Sequence, residues 1–142
     1  MASEINVAVA VLFDARGRVL LAQRPPEKAY GGWWEFPGGK VEAGESVADA
    51  LARELAEELG IVVSASAAWL IRRHRYPHAQ VLLWIRRVDA RLGHWSGQPV
   101  GREGQAFVWC TPPLARGPQL RAPDLPQPLL PATELLLDWL NY

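Results

Sequence analysis

The sequence predicts an α+β fold, in which a mixed β-sheet has helices packed on it. Two β-rich runs stand near the start, a strongly helical segment follows them, and further β-rich runs and a short helix complete the chain. The predicted order is hairpin, loop, helix, strands, loop, helix. This order indicates a mixed sheet with helices against it.

The first two predicted strands form a hairpin. Residues Ile5–Phe13 and Val19–Gln23 are β-rich, and the turn formers Asp14 and Gly17 lie between them. A polar, glycine-rich loop follows. The segment WWEFPGGKVEAGE, residues 33–45, has too many helix breakers for a helix, and we expect a short strand, a turn and a loop there.

A helix is predicted between Ser46 and Gly60. Ser46 followed by Asp49 resembles a capping box, and Gly60 is typical of the position just after a helix C-terminus. The residues between them are mostly strong helix formers, so we expect a helix of about 14 residues. Its apolar stripe should be buried. The stripe consists of Ala48, Leu51, Ala52, Leu55 and Leu59.

The second half of the chain adds strands and a closing helix. We expect strands over 62–71 and 81–88, and a short strand over 106–110. Residues 112–131 are rich in proline, which excludes regular structure, and we expect an ordered loop that follows the surface. A short amphipathic helix should begin near Pro131.

Length, charge and cysteine content limit what this chain can be. Its 142 residues suffice for one domain with a core, and we expect a single domain over 1–142. Lys plus Arg and Asp plus Glu total 15 each, so no overall charge attracts nucleic acid or a membrane. The early apolar run is too short to span a bilayer, and the single Cys110 is expected in the core. These features predict a cytoplasmic protein, and no obligate protein partner is evident.

Three glutamates in the second half of the predicted helix are unusual. Glu54, Glu57 and Glu58 are three and four residues apart, and only Arg53 offers an adjacent compensating charge. Like charges at this spacing repel by roughly 0.2 to 0.5 kcal/mol a pair, and acids near a helix C-terminus oppose the helix dipole. A solvated helix face is one explanation. The other is a divalent cation, and oxygen ligands without His or Cys favour Mg²⁺ or Mn²⁺.

These glutamates belong to a longer pattern of fixed spacing. It reads G-x5-E-x7-R-E-U-x-E-E-x-G-U, with U an aliphatic residue, and the chain matches every fixed position from Gly39 to Ile61. This is the Nudix box, and the chain resembles the Nudix hydrolases, which cleave nucleoside diphosphates linked to another moiety. The segments WWEFPGGKVEAGES and WSGQPVGREGQAFVW and the PAT at 131–133 resemble MutT-type members. The resemblance implies the Nudix fold, a mixed sheet between helices in an α/β/α sandwich.

The resemblance also implies a set of metal ligands. In the family the box glutamates bind the catalytic divalent ions, so Glu54, Glu57 and Glu58 are expected ligands, and the Gly39 carbonyl is a further candidate. Glu103, in GREGQ, matches an acid that the family supplies from a later loop; alternatively, it is a polar loop residue. The general base is either Glu54 or Glu103. The expected cofactor is Mg²⁺, with Mn²⁺ as a substitute.

Three charged residues are expected around these ligands. Arg53 should orient the glutamates, and Glu45 should pair with Arg53 and hold the loop and the helix together, because metal ligands need outer partners to stay aimed. Both are therefore assigned to the catalytic site. Arg24, just after the second predicted strand, is a candidate contact to the nucleotide or its phosphates; alternatively, it is a solvated strand-end arginine.

The resemblance implies a base pocket between the early strands, the loop before the box and the C-terminal PAT segment. Phe36 lies in that loop, and the third residue of PAT is Thr133. MutT-type enzymes have an asparagine at this third position, which offers a donor and an acceptor together to an oxidised guanine. A threonine hydroxyl cannot reproduce that paired readout. Trp33 and Trp34 could stack on a base, but we expect them in the core.

The predicted function is Mg²⁺-dependent hydrolysis of a nucleoside triphosphate to the monophosphate and pyrophosphate. The substrate is open between 8-oxo-dGTP, as in MutT-like sanitation of the nucleotide pool, and pyrimidine triphosphates such as CTP and dCTP. A non-enzymatic alternative is a Nudix domain that only binds a nucleotide and regulates a partner. Such domains commonly lose box acids, and this chain retains them all.

Overall fold

The computed structural model describes residues 4–64, 69–77, 79–116, 120–121 and 124–140. The strands are β1 (Glu4–Phe13), β2 (Val19–Gln23), β3 (Trp34–Glu35), β4 (Gly38–Lys40), β5 (Val62–Val63), β6 (Leu70–Tyr76), β7 (Ala79–Asp89), β8 (Trp95–Ser96), β9 (Phe107–Cys110), β10 (Ala115–Arg116) and β11 (Leu120–Arg121). The helices are α1 (Val47–Leu59) and α2 (Pro131–Leu140), and a 3₁₀ turn spans Ala90–Leu92.

Within the described residues, seven strands form one mixed sheet. Strand β7 runs parallel to β1 along the whole of β1, from Glu4 opposite Gln80 to Phe13 opposite Asp89. The pairs of β1 with β2 and β4, of β2 with β3 and β9, and of β6 with β7 are antiparallel. The predicted α+β fold with a mixed sheet is confirmed.

The predicted hairpin of β1 and β2 is present, but its strands diverge soon after the turn. They pair at Phe13 and Val19. Farther along, β3 pairs with the end of β2, and β4 pairs with residues 7–9 of β1. The segment over residues 34–40 therefore enters the gap between the two strands. This gap brings the glycines of β4 beside β1.

Helix α1 begins and ends where the sequence predicts. The Ser46 hydroxyl accepts a hydrogen bond from the Asp49 backbone N–H at 3.1 Å. Gly60 adopts the left-handed conformation, with φ at 69°, that ends many helices. The predicted stripe needs two corrections, because Ala48 is exposed and Ala52 is only half-buried, while Ala50 is buried. The buried face of the first turn is thus rotated from the predicted one.

The helices pack on opposite faces of the sheet. On one face, α1 packs with Leu51, Leu55 and Leu59 against apolar residues of β1 and β2. On the other face, α2 packs with Leu136 and Leu137 against β1 and β7. The predicted sandwich of a sheet between helices is therefore confirmed. Residues of both helices line the cleft described below, together with residues of β4.

The prediction of a single strand over 62–71 is wrong. Val62–Val63 form β5, which pairs with β8 outside the large sheet, and β6 begins only at Leu70. Residues 65–68 lie outside the described residues. The run VVSASAAWLI contains no proline or glycine, so nothing local marks where one strand ends and the next begins. Strand β7 also starts earlier than predicted, at Ala79.

Regular structure occurs in the proline-rich segment, contrary to the prediction. Strands β10 and β11 pair antiparallel, and no proline lies within either strand, so no ladder donor is lost. Elsewhere the segment packs on the core through Leu114, Leu125 and Leu129, which are buried. Residues 117–119 and 122–123 lie outside the described part of the chain.

Cys110 is buried in the core, as predicted, and burial raises the pKa of its thiol to about 11. The raised pKa keeps the thiol protonated and unreactive at neutral pH. In the described ranges, neither helix is long and apolar enough to cross a membrane.

Candidate active site

A cleft of about 710 Å³ opens where β3 and β4 enter the sheet, and residues of both helices line it. The lining includes five acids whose charges act on one another at Glu54 and Glu58, and this part is called the acidic end: Glu35, Glu54, Glu57, Glu58 and Glu103. The lining also includes apolar side chains that belong to the core cluster around α2, and this part is called the apolar end: Val7, Val9, Phe36, Val81, Leu83 and Leu136. Every predicted site residue except Glu45 lines this cleft. Residues that are far apart in the sequence are therefore brought together.

Arg53 lies at the centre of a hydrogen-bond network. Its Nε and Nη2 atoms donate to the two carboxylate oxygens of Glu45 at 2.8 and 3.0 Å. Its Nη1 atom donates to Glu54 at 2.9 Å and to Glu57 at 3.3 Å, and Nη2 also donates to the Lys40 carbonyl at 3.0 Å. The hydrogen bond with Arg53 lowers the pKa of Glu45. One guanidinium thus joins the loop, the helix and two acids.

Glu58 is held in a buried position. Its Oε2 atom is buried and has no hydrogen-bond partner within the described residues. Burial, followed by the negative charges of Glu54 and Glu35, raises the pKa of Glu58 to about 9, while a backbone hydrogen bond from Gly38 opposes the shift. A carboxyl group in such surroundings is stable when it holds a proton or meets a cation.

Gly39 allows the Glu54 carboxylate to lie against the backbone of β4. A Cβ atom on residue 39 would overlap that carboxylate, so a larger residue there would displace the Glu54 carboxylate from its present position. Burial raises the pKa of Glu54, and the hydrogen bond from Arg53 opposes this shift. The Glu54 side chain is 18% exposed and that of Glu57 is 53% exposed, so Glu57 lies on the open side of the cleft.

Glu103 reaches the cleft from the loop between β8 and β9. The Arg102 backbone N–H donates to the Glu58 carbonyl at 2.9 Å, which fastens this loop to the last turn of α1. The negative charge of Glu103 raises the pKa of both Glu54 and Glu58, and Glu103 itself is exposed. The loop therefore adds a fourth carboxylate beside the three helix acids.

Arg24 also lines the cleft, but its guanidinium is bonded within the protein. Its Nη1 atom donates to both Glu35 oxygens at 3.2 and 3.3 Å, and its Nε atom donates to the Ala29 carbonyl at 2.8 Å. Burial raises the pKa of Glu35, and Arg24 opposes this shift. Glu35 is not among the site residues predicted from the sequence. The available signal is an acid inside the otherwise apolar run WWEF.

At the apolar end, Phe36 and Thr133 are each only 3% exposed, and both line the cleft. Thr133 lies in the first turn of α2. The two tryptophans before Phe36 lie apart from the cleft lining. Trp34 packs against the core, as expected, whereas the ring of Trp33 meets that of Tyr30 edge to face at 5.2 Å.

The side chains as they stand do not form a ready-made metal site. In the part of the chain that the structure describes, no three His, Cys, Asp or Glu residues are grouped so that they could hold a metal ion. Arg53 instead holds Glu54 and Glu57. The donor set nevertheless fits a hard divalent cation, because it consists of carboxylate oxygens and includes the unpartnered Oε2 of Glu58.

The NUDIX domain family model matches residues 3–132 of the chain. The chain belongs to the Nudix family. The CTP pyrophosphohydrolase of Escherichia coli (strain K12) is 38% identical over 126 residues, which are 83% of this chain and 84% of that protein. A Mycobacterium tuberculosis (strain ATCC 25618 / H37Rv) protein, named provisionally as 8-oxo-dGTP diphosphatase 2, is 58% identical over 115 residues, which are 78% and 75% of the two chains.

Solved structures agree with this assignment. The MutT NUDIX hydrolase of Burkholderia pseudomallei superimposes with a TM-score of 0.75 at 28% sequence identity, over 96% of this chain and 97% of that chain. The predicted family, fold and enzyme class are confirmed. The chain is a Nudix hydrolase, an enzyme that acts on phosphoric anhydride bonds.

Proposed function

We propose that this Nudix hydrolase cleaves a nucleoside triphosphate to the monophosphate and pyrophosphate with Mg²⁺, for which Mn²⁺ can substitute. The observation that carries the proposal is that the acidic and the apolar residues line one and the same cleft. A phosphate chain with its cations suits the acidic end, and a nucleobase suits the apolar end. The names of the two relatives support a nucleotide substrate.

Glu54, Glu57 and Glu58 would hold the divalent ions, with the Gly39 carbonyl and Glu103 as further donors. Bound divalent ions neutralise a phosphate chain, lower the pKa of an attacking water and stabilise the leaving pyrophosphate. The unpartnered Oε2 of Glu58 and the close approach of Glu54 to Gly39 support this assignment. Mg²⁺ also favours oxygen ligands and shares its coordination with phosphates.

The remaining roles concern protons and positions. Glu54 or Glu103 accepts the proton of the attacking water, and the pH dependence of kcat in their Gln variants distinguishes the two. Arg53, held by Glu45, positions Glu54 and Glu57. Arg24 contacts the nucleotide from a guanidinium that Glu35 fixes in place.

Phe36 and Thr133 are the proposed base contacts, and two substrates fit them. The apolar end would accept the base of 8-oxo-dGTP, in a role in sanitation of the nucleotide pool. The alternative is CTP or dCTP. It is favoured by the buried Thr133, whose hydroxyl lacks the separate donor and acceptor atoms in one plane with which an asparagine amide would read an oxidised guanine. The two relatives carry one of these activities each in their names, CTP pyrophosphohydrolase for the Escherichia coli protein and, provisionally, 8-oxo-dGTP diphosphatase for the Mycobacterium tuberculosis protein.

The proposal is tested by product analysis. The purified protein is incubated with Mg²⁺ and equal concentrations of 8-oxo-dGTP, dGTP, dCTP and CTP, and the products are separated by ion-exchange chromatography, with EDTA as the control. We expect monophosphate and pyrophosphate from one of these nucleotides. Release of the nucleoside diphosphate and inorganic phosphate would contradict the proposed cleavage to monophosphate and pyrophosphate. Binding without turnover of any nucleotide would favour a regulatory domain instead.

The proposal extends to the setting of the enzyme. A free nucleotide is its partner, residues 1–142 act as one domain, and the location is cytoplasmic, where nucleotide pools lie. Fractionation of cells that carry a tagged chain tests the location.

A further inference from the structure

Tyr30 has an unusual backbone conformation. Its φ is 58°, and it is the one non-glycine residue with a positive φ among those that the structure describes. This region disfavours bulky side chains and is a source of strain. Two glycines, Gly31 and Gly32, follow directly, yet the left-handed conformation includes the aromatic residue. The fold therefore retains a strained tyrosine at this position.

Hydrogen bonds at the base of the loop fix this position. The Arg24 backbone N–H donates to the Trp33 carbonyl at 2.8 Å, and the Gly32 N–H donates to the Arg24 carbonyl at 3.0 Å. The Trp33 N–H in turn donates to the Tyr30 carbonyl at 3.1 Å. These bonds tie both ends of the loop to β2 and β3. These backbone hydrogen bonds thus fix the position of Tyr30.

The Tyr30 ring belongs to the wall of the cleft. Tyr30 lines the cleft, and its ring centre lies 5.8 Å from that of Tyr76, which lines it as well. The Tyr76 hydroxyl accepts a hydrogen bond from the Ala132 backbone N–H at 3.3 Å, next to Thr133. The two tyrosines and the start of α2 therefore form one continuous surface beside the apolar end.

We infer that Tyr30 binds the nucleobase by stacking, an inference that rests on the proposed function. Residues with strained backbone conformations cluster at active sites and ligand clamps. An aromatic ring offers a flat surface to any base, because every base has a π face. Tyr30 accordingly sets the affinity for the base, whereas the choice between an oxidised purine and a pyrimidine is left to Thr133.

The test replaces the ring without adding strain. Asparagine tolerates a positive φ, so Tyr30→Asn removes the ring and relieves the backbone, and Tyr30→Gly repeats the test without an amide. Tyr30→Phe keeps the ring and is the matched control. The measurements are KM and kcat for CTP and 8-oxo-dGTP, the Kd of CMP and 8-oxo-dGMP by calorimetry in EDTA, and Tm.

We expect Tyr30→Asn to raise KM and the monophosphate Kd by roughly 5- to 150-fold, the range for loss of one stacked base. The factor should be similar for both bases, with kcat little changed and Tm at or above that of the unaltered protein. A lower Tm with an unchanged Kd in both ring-free variants would show that the ring serves packing, which overturns the inference. Absence of any turnover by the unaltered protein would instead contradict the proposed function.

Discussion

Arg53 and Glu45 form a two-bonded ion pair, with Nε to Oε2 at 2.8 Å and Nη2 to Oε1 at 3.0 Å. The pair joins the loop before α1 to the middle of the helix. Because the remaining nitrogen of Arg53 donates to Glu54 and Glu57, Glu45 fixes the orientation from which Arg53 restrains both acids. The guanidinium of Arg53 thereby partly offsets the repulsion among the helix acids without a metal ion.

The first prediction concerns this pair. Lysine cannot reproduce the planar, two-bonded contact of an arginine, so Arg53→Lys should leave Glu54 and Glu57 poorly aimed. We expect kcat to decrease by roughly 10- to 100-fold, as for loss of an outer partner of metal ligands. The matched control is Arg16→Lys, at an exposed turn. An unchanged kcat in Arg53→Lys would contradict the positioning role.

The second prediction concerns pH. The carboxyl pKa of Glu58 is raised from 4.5 to about 9, so between these values the folded protein holds a proton that the unfolded chain has lost. The free energy of unfolding of the protein in EDTA should therefore decrease as pH rises through this window. Urea unfolding at about pH 6 and about pH 8.5 measures the change. Glu58→Gln, which does not titrate, should show a smaller decrease.

Mg²⁺ should change the pH dependence of the stability, because the metal ion competes with the proton for Glu58. The increase in Tm on addition of Mg²⁺ should be larger at about pH 8.5 than at about pH 6. An equal increase at both pH values would show that Glu58 does not bind the ion. Glu27→Gln, in an exposed loop, is the matched control for loss of one acid.

The third prediction concerns Asp89, which does not line the cleft. Asp89 is 1% exposed, and it accepts hydrogen bonds from the side chains of Arg87 at 3.1 Å and of Arg91 at 2.8 and 3.0 Å. These bonds, with those of Arg91 first, lower the pKa of Asp89 to about 2. Asp89→Asn should reduce the free energy of unfolding by roughly 1 to 3 kcal/mol while kcat/KM is unchanged.

The pH dependence of this difference has a definite sign. A lowered carboxyl pKa stabilises the fold above the unfolded value of 3.8, and this stabilisation is lost as pH falls toward about 2. The gap in unfolding free energy between the unaltered protein and Asp89→Asn should therefore narrow below about pH 4. A gap that widens on acidification would contradict the assignment.

The fourth prediction concerns base recognition. Thr133→Val keeps the shape of the side chain and removes its hydroxyl, so kcat/KM for the preferred nucleotide should decrease by about tenfold if the hydroxyl bonds the base. Thr133→Ser should retain most of the activity. The exposed Thr111, changed to Val, is the control. Equal activity of Thr133→Val and the unaltered protein on every nucleotide would exclude that contact.

Local signals made much of the site predictable. The caps of α1 at Ser46 and Gly60 depend on side-chain and backbone preferences within a few residues, and both were found as predicted. The spacing of Glu54, Glu57 and Glu58 on this helix decides their common face. Their placement in one cleft with residues from other elements is what the structure adds.

Features that depend on contacts between distant residues cannot be predicted from the local sequence pattern. The burial of Glu35 comes from the insertion of β3 beside β2, which no short window of sequence shows. The conformation of Tyr30 depends on hydrogen bonds between the two ends of its loop. The break between β5 and β6 lies in a run without proline or glycine, and β5 pairs with β8 instead of joining the large sheet. Tertiary context therefore overrode the local pattern in each case.

The most direct test of the whole account is pyrophosphate release with and without Mg²⁺, measured for the unaltered protein, Glu57→Gln and the control Glu27→Gln. The substrate is the nucleotide that the product analysis identifies. We predict Mg²⁺-dependent release in equal amounts with the monophosphate, a loss of at least about 100-fold in Glu57→Gln, and unchanged release in Glu27→Gln. Release that needs no divalent ion, or that survives in Glu57→Gln, would contradict the assignment of the helix acids to a catalytic metal site.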